Sequence, residues 1–220
     1  MDAPSHPHLD ATLVGRHVTL APLGPQDADP LAAAAELERS SYRFTVVPDG
    51  REEARAYVAG LLEERRRAET VPFVLRRDGA VVGATRYMNL RWYLARDYPD
   101  VVEIGGTWLS ATAQRTAVNT EAKLLMLTHA FDVYGVAKVD LKTDARNERS
   151  IAAMERLGLA REGTVARAHP SLVRGEEGQL RDSALFGVTR DRWPLVRARI
   201  VELLGAPTLS DDPGARRAAR

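Results

Sequence analysis

One carboxylate stands among apolar and small residues. Glu103 lies in a run, residues 101–109, whose other members are apolar residues, two glycines and a threonine. If this run is a β-strand, side-chain alternation places Glu103 on the same face as Gly105 and Thr107. A carboxylate held there can take a proton from an attacking nucleophile. The competing interpretation is an edge-strand glutamate that points into solvent or pairs with an arginine.

An amide and a hydroxyl form a second candidate pair. Asn147 and Ser150 are three residues apart, which puts both side chains on one side of an incipient helical turn. There they can donate hydrogen bonds to a ligand. The alternative is a helix N-cap, which needs no ligand.

Residues 114–120 precede and open the segment with the clearest helical pattern. The start of a helix offers free N–H groups and the positive end of the helix dipole, which together favour a phosphate. Apolar periodicity alone favours an ordinary capped helix instead. The neighbouring motifs described below favour the phosphate site.

Aromatic residues surround the loop at 89–100. Tyr87, Trp92, Tyr93 and Tyr98 are close together in the sequence and could form one wall of a substrate pocket. Two other interpretations stay open, in which this loop covers the edge of the sheet or forms the contact of a homodimer.

The elements that must position these residues follow from hydrophobic spacing and turn signals. Their order mixes hairpins with crossovers, which predicts an α/β fold with a mixed seven-stranded sheet and helices on both faces. No internal repeat is visible. The predicted strands are 17–23, 72–76, 80–88, 101–109, 138–143, 165–169 and 180–188, and the predicted helices are 26–37, 52–67, 119–134, 149–157 and 191–204.

Length and composition bound the possibilities. The 220 residues, 45% hydrophobic and 28% charged, suit one domain at 15–204 between a flexible segment at 1–14 and a disordered tail at 205–220. The absence of cysteine excludes disulfides, thiolate nucleophiles and cysteine metal sites, and no metal is expected.

Charge and hydropathy exclude further classes. The net charge is +1 and the basic residues are dispersed, which argues against nucleic acid as a partner. The sequence has no apolar run of roughly 18 residues and no signal-peptide pattern at its start, so we expect a cytoplasmic protein without membrane contact.

Two ordered motifs resemble a known family. EIGGTWL at 103–109 and QRTAVNTEAK at 114–123 resemble the core of the GNAT acetyltransferases. DARNERS at 144–150 and MERLG at 154–158 resemble the branch that acetylates ribosomal-protein N-termini, the RimJ/RimL-like group. The resemblance extends over roughly residues 18–194, including RDSALF at 181–186.

This resemblance implies the GNAT fold and direct transfer of an acetyl group from acetyl-CoA to an amine. Glu103 would be the general base, acting through a water. Ser150 would donate a hydrogen bond to the leaving sulfur, because Met154 stands where many relatives have a tyrosine. Tyr87, Trp92 and Tyr93 would contact the acceptor. The implied coenzyme contacts are Trp108, Leu109, Gln114, Arg115, Thr116, Ala117, Val118, Asn119, Thr120 and Asn147.

The phosphate loop departs from the family pattern. Two positions that are usually small are occupied by Ala117 and Asn119. Alanine is nearly as small as glycine, while asparagine tolerates the left-handed backbone region and is a good helix N-cap. We therefore expect coenzyme binding to be retained.

Protonation favours one class of acceptor. At pH 7 an α-amine with a pKa of about 8 is neutral in roughly one molecule in ten, whereas a lysine is neutral in fewer than about one in a thousand. A single carboxylate base therefore suits an α-amine, on a peptide N-terminus or a small molecule. A coenzyme-binding protein without catalysis, and an enzyme that uses succinyl or another acyl group, remain alternatives.

Overall fold

The computed structural model describes residues 9–205. Their strands form one mixed sheet in the order β1-β2-β3-β4-β5-β6-β8-β7. The strands are β1 (Leu13–Val14), β2 (Thr19–Pro22), β3 (Thr70–Arg77), β4 (Ala80–Arg91), β5 (Val101–Leu109), β6 (Lys138–Asp144), β7 (Ala160–Pro170) and β8 (Leu180–Thr189). The helices are α1 (Ala28–Glu36), α2 (Gly50–Arg66), α3 (Ala117–Thr128), α4 (Glu148–Arg156) and α5 (Trp193–Gly205).

The predicted mixed α/β fold is confirmed, with eight strands instead of seven. The additional strand is β1, which pairs Leu13 with Leu20 and Val14 with Thr19. Two residues are too few to show a hydrophobic alternation, so no sequence pattern marks this strand.

Part of the N-terminal segment that was predicted to be flexible belongs to the fold. Leu9 is buried in the core, and its carbonyl accepts a hydrogen bond from the Tyr134 hydroxyl. The chain is thus packed from Leu9 onward, while residues 1–8 lie outside the described residues. At the other end α5 includes Gly205, and the rest of the predicted tail, 206–220, also lies outside them.

Each face of the sheet has its own hydrophobic core. On one face, which we call the back face, α3, α4 and α5 contribute Met126, Met154 and Ile200 to the larger cluster. On the other, the front face, α1 and α2 contribute Leu31 and Leu61 to the smaller one. On the front face α1 packs against β4 and α2 against β3.

The two central strands separate part of the way along their length. Parallel pairing of β5 with β6 begins at Val101 and Lys138 and ends at Glu103 and Asp140. From there β5 continues to Leu109 and β6 to Asp144 without pairing to each other. Backbone N–H and C=O groups along the separated edges are therefore open to a ligand.

A bulge in β5 changes which side chains share the face of Glu103. Between the pairs Ala84 with Trp108 and Arg86 with Gly105, β5 carries one residue more than β4. Gly106 takes a φ of 59° at this point, a backbone conformation that suits glycine. The alternation shifts by one residue, so Thr107 reaches α3 on the back face. The prediction that Thr107 shares the face of Glu103 is therefore wrong.

Candidate active site

Glu103 is buried and held by two donors at the point where β5 and β6 separate. Its side chain is 8% exposed. The Oε2 atom accepts hydrogen bonds from Asn89 Nδ2 at 2.7 Å and from Lys142 Nζ at 2.7 Å. The Lys142 ammonium neutralises the buried carboxylate, and the two bonds fix its orientation.

The other carboxylate oxygen, Oε1, differs from Oε2. Among the described residues none donates a hydrogen bond to Glu103 Oε1. Gly105 lies next to it, and a Cβ at this position would be 3.4 Å from Oε1 and 2.6 Å from the Met88 sulfur. Because residue 105 has no side chain, no Cβ crowds Oε1, and the Met88 sulfur occupies the space beside this position.

Polar residues from three strands surround Glu103 on the front face. On β6 the core-facing residues are Val139 and Leu141, so Lys142 projects from the opposite face. On β7, His169 Nδ1 lies 2.9 Å from the Ser183 hydroxyl of β8. Burial lowers the pKa of His169, and the nearby Lys142 and Arg181 cations lower it further. This imidazole is therefore mostly neutral at pH 7.

The start of α3 has helix-capping geometry. Thr116 is the N-cap, and its hydroxyl accepts a hydrogen bond from the backbone N–H of Val118 at 3.3 Å. Arg115 takes the left-handed conformation, with a φ of 58°. The roles expected of Asn119, capping and positive φ, thus belong to Thr116 and Arg115. Because the helix begins at Ala117, Asn119 already lies within its first turn.

Gln114 ties the phosphate loop to its surroundings. Its Nε2 donates to the Leu109 carbonyl and to the Ser41 hydroxyl, both at 2.8 Å. Its Oε1 accepts from Arg149 Nη1 of α4 at 3.1 Å. The end of β5, the start of α3 and the start of α4 are thereby held together around one side chain.

Several side chains predicted to contact the coenzyme are already engaged within the protein. Trp108 is 3% exposed and packs edge-on to Tyr42, while Val118 is buried in the back-face core. The Thr120 hydroxyl accepts from Arg156 Nη2 at 2.8 Å. These residues can therefore offer a ligand mainly their backbone. Arg115, in contrast, is exposed and available to an anion.

Asn147 and Ser150 lie together at the start of α4. Asn147 is the N-cap, and its Oδ1 accepts from the Ser150 backbone N–H at 3.2 Å. The Ser150 side chain is half-buried, and its hydroxyl makes no hydrogen bond with a described residue. The capping interpretation therefore holds for Asn147, and it leaves the Ser150 hydroxyl available. Met154 points into the core.

The aromatic residues do not form one wall. Tyr87 is fully buried, and its hydroxyl donates to the Met126 carbonyl at 2.6 Å, so it offers no surface to an acceptor. Trp92 packs partly against the same core. Tyr93 is 71% exposed. The strand and loop around β4 distribute these side chains between the core and the surface.

Sequence reasoning missed the partners of Glu103 and a buried lysine. Lys142 has a sequence signal, because alternation along β6 places it opposite Val139 and Leu141. Lys123 lies within the apolar stripe of α3, is 6% exposed, and donates to Thr107 Oγ1 at 2.8 Å. Burial lowers the pKa of Lys123 to about 7.

Residues 9–205 contain neither a candidate metal site nor a candidate membrane span. This part of the chain has no cluster of three or more His, Asp or Glu side chains that could hold a metal ion. It also has no helix long and apolar enough to cross a membrane.

Structures of other proteins resemble this one over most of its length. A GCN5-related N-acetyltransferase from Brucella melitensis is 26% identical, with a TM-score of 0.78 over 94% of this chain and 89% of that one. A proposed acetyltransferase from T. thermophilus is 30% identical, with a TM-score of 0.73 over 89% and 98%. Mycobacterium smegmatis RimJ, solved with CoA-disulfide, shares the fold at 22% identity, with a TM-score of 0.67 over 84% and 88%.

Sequence comparison leads to the same family. No curated protein matches the chain. The acetyltransferase (GNAT) domain model matches residues 17–160, which include both central strands, the start of α3 and the start of α4. The chain therefore belongs to the GNAT family of acetyltransferases.

Proposed function

We propose that this protein transfers the acetyl group of acetyl-CoA directly to an α-amine, as the RimJ/RimL-like branch does, with Glu103 as general base through a water. The observation that carries the proposal is the hydrogen bonding of the two Glu103 carboxylate oxygens. One oxygen is fixed by Asn89 and Lys142, and the other accepts no hydrogen bond from a described residue at the point where β5 and β6 separate.

The coenzyme site is supported by backbone geometry and charge. The unpaired edges of β5 and β6 would bind the amide groups of the pantetheine arm, and the first turn of α3 would bind the pyrophosphate. Arg115 and Arg149 add positive charge beside that turn. When bound, acetyl-CoA supplies a thioester whose sulfur is a good leaving group.

The chain's own residues would perform the proton transfers. Glu103 Oε1 would accept the proton of the attacking amine through a water, since only a neutral amine is a nucleophile. Lys142 and Asn89 would hold the carboxylate still while its charge changes. The Ser150 hydroxyl would donate a hydrogen bond to the developing thiolate, and Met154 offers no proton for this step.

Thiol release across acyl-CoA donors and a panel of amines tests the proposal. Glu103→Gln keeps the side-chain volume and removes the base, so we expect kcat to fall about ten- to a thousandfold while coenzyme affinity is unchanged. The matched control is Glu162→Gln, at an exposed glutamate of β7, which should keep wild-type kcat.

Other outcomes would change the conclusion. If no amine elicits turnover while acetyl-CoA still binds, the protein is a coenzyme-binding protein. If a succinyl donor is used better than acetyl, the acyl group has been assigned incorrectly. Ser150→Ala should lower kcat less than Glu103→Gln does, since a thiolate departs without an acid more easily than an ammonium attacks. The loss of kcat in Ser150→Ala should become smaller as the pH rises from 6 to 9.

A further inference from the structure

Arg181 is a buried cation on the front face that bonds to no group within the described part of the chain. This residue of β8 is 8% exposed, and its buried Nε donates no hydrogen bond to a described residue. No hydrogen bond or ion pair within residues 9–205 involves its guanidinium. A guanidinium has five N–H donors and stays charged in proteins, so this group is unusually poorly satisfied for its burial.

The carboxylates near Arg181 are held by other donors. Asp144 Oδ1 accepts from Arg146 Nε at 2.9 Å, and Asp144 Oδ2 accepts from Arg146 Nη2 at 2.7 Å. Glu103 is held through Oε2 by Lys142. Arg181 is attracted electrostatically to both Asp144 and Glu103 but bonds to neither. The side chains of residues 9–205 thus leave the guanidinium donors of Arg181 free to bind a ligand.

Arg181 faces the same part of the sheet as the proposed base. It pairs with His169 across β7 and β8, while Ser183, two residues along β8, pairs with Asp144 of β6. Ser183 contacts His169, and the charges of Lys142, Arg181 and Glu103 all act on the pKa of that ring. An acceptor whose amine approaches Glu103 would therefore have its other polar group near Arg181.

We propose that Arg181 binds a carboxylate of the acceptor, so that the substrate is a small amine that also carries a carboxylate. A planar guanidinium matches a carboxylate with two parallel hydrogen bonds and supplies the opposite charge. A carboxamide or peptide carbonyl offers a single neutral oxygen in the same place. This inference rests on the proposed function and assigns its substrate class.

Matched acceptor pairs test the inference with the wild-type protein. Free glycine, alanine, serine and glutamate would each be compared with the corresponding α-amide at saturating acetyl-CoA, with concentrations corrected to the neutral amine. For at least one pair, kcat/KM should be tenfold or more higher for the free acid. If the amides, or peptides ending in an amide, are acetylated as well as or better than every free acid, the inference is overturned.

Substitution then assigns the preference to Arg181. Arg181→Met should raise KM for the preferred acid at least tenfold and change KM for its amide far less. The control Arg161→Met, at an exposed arginine of β7, should leave both values unchanged. An equal loss on acid and amide in a folded variant would overturn the inference. If Arg181→Met does not fold, Arg181→Lys, which keeps the charge and loses the fork, should still reduce the preference severalfold.

A binding measurement separates this inference from the proposed function. Calorimetry with coenzyme A present would compare the preferred amino acid and its amide on both proteins. If no acceptor is turned over, the proposed function fails. Arg181-dependent binding of the free acids would still support the carboxylate site, and its absence would remove it.

Discussion

Two lysines reach β5 from opposite faces of the sheet. On the front face Lys142 Nζ lies 2.7 Å from the Glu103 carboxylate. On the back face Lys123 Nζ lies 2.8 Å from the Thr107 hydroxyl, which in turn is 2.7 Å from the Thr85 hydroxyl. Both side chains are largely buried, but one faces a carboxylate and the other faces hydroxyls.

The difference shows how this protein keeps charge inside its sheet. An ammonium beside a carboxylate can remain charged when buried, because each ion stabilises the other. A hydroxyl offers Lys123 a hydrogen bond without a counter-charge, so burial lowers the pKa of this lysine to about 7. Lys142 and Glu103 on the front face therefore form an ion pair, whereas Lys123 on the back face has no carboxylate partner within residues 9–205.

Removing the front-face lysine should have the largest effect. Lys142→Met leaves Glu103 buried without its counter-ion, so we expect unfolding free energy to fall by about 4 kcal/mol, measured by urea denaturation at pH 7. The double variant with Glu103→Gln removes both charges and should recover more than half of the loss. A single variant as stable as the wild type would show that the pair is not a stabilising contact.

Removing the back-face lysine should raise the free energy of unfolding instead of lowering it. The pKa of Lys123 in the folded protein, about 7, is below its ordinary value of 10.5. Between pH 7 and pH 10.5 the unfolded chain binds more protons than the folded protein, so the stability of the folded protein rises with pH in this window. The cost of burying the ammonium is fully present below pH 7. Burying the ammonium costs about 4 kcal/mol at pH 7, and the variant also loses the hydrogen bond to Thr107, which offsets about 1 kcal/mol. Lys123→Met should therefore be about 3 kcal/mol more stable at pH 7.

The pH dependence of the stability difference between Lys123→Met and the wild type is the control for this prediction. The stability gap between Lys123→Met and the wild type should narrow from pH 7 to pH 10, because all other titrating groups are common to both proteins. Urea denaturation of the two proteins at each pH measures it. A gap that stays constant over this range would mean that Lys123 keeps an ordinary pKa and that the two lysines do not differ as described.

The smallest expected effect concerns the second donor to Glu103. Asn89→Gly removes the Asn89 hydrogen bond at a residue with a φ of 48°, where glycine is not strained. We expect a loss of about 1 kcal/mol by urea denaturation. Asp78→Gly is the matched control, since Asp78 has a φ of 51° and a side chain 95% exposed. Equal changes in both variants would assign the effect to the backbone alone.

The fold could be predicted in most of its elements because each has a local signal. The bounds of β5 were predicted to the residue, and the turn between β3 and β4 was predicted from Asp78 and Gly79, which both have positive φ. The strand β7 begins at Ala160, five residues before its predicted start, since its exposed polar residues show no apolar alternation.

The bulge at Gly106 could not be predicted from the sequence, because no local pattern marks it. Strict alternation along β5 would place Thr107 beside Glu103, and no residue pattern reports the additional residue that reverses it. The register of β4 against β5 is set by packing across the sheet. The face of each side chain after the bulge follows from that register.

The sequence by itself determined the family, the mixed sheet, a carboxylate near the start of β5, and an asparagine and a serine at the start of α4. These features depend on short spacings and local propensities. The tertiary structure alone decided which groups meet. Lys142, Asn89 and Arg181 come from three different strands, and they surround Glu103 since the pairing of β4, β5, β6 and β8 places distant residues on one face. Contacts of that kind depend on register and burial, which local sequence does not encode.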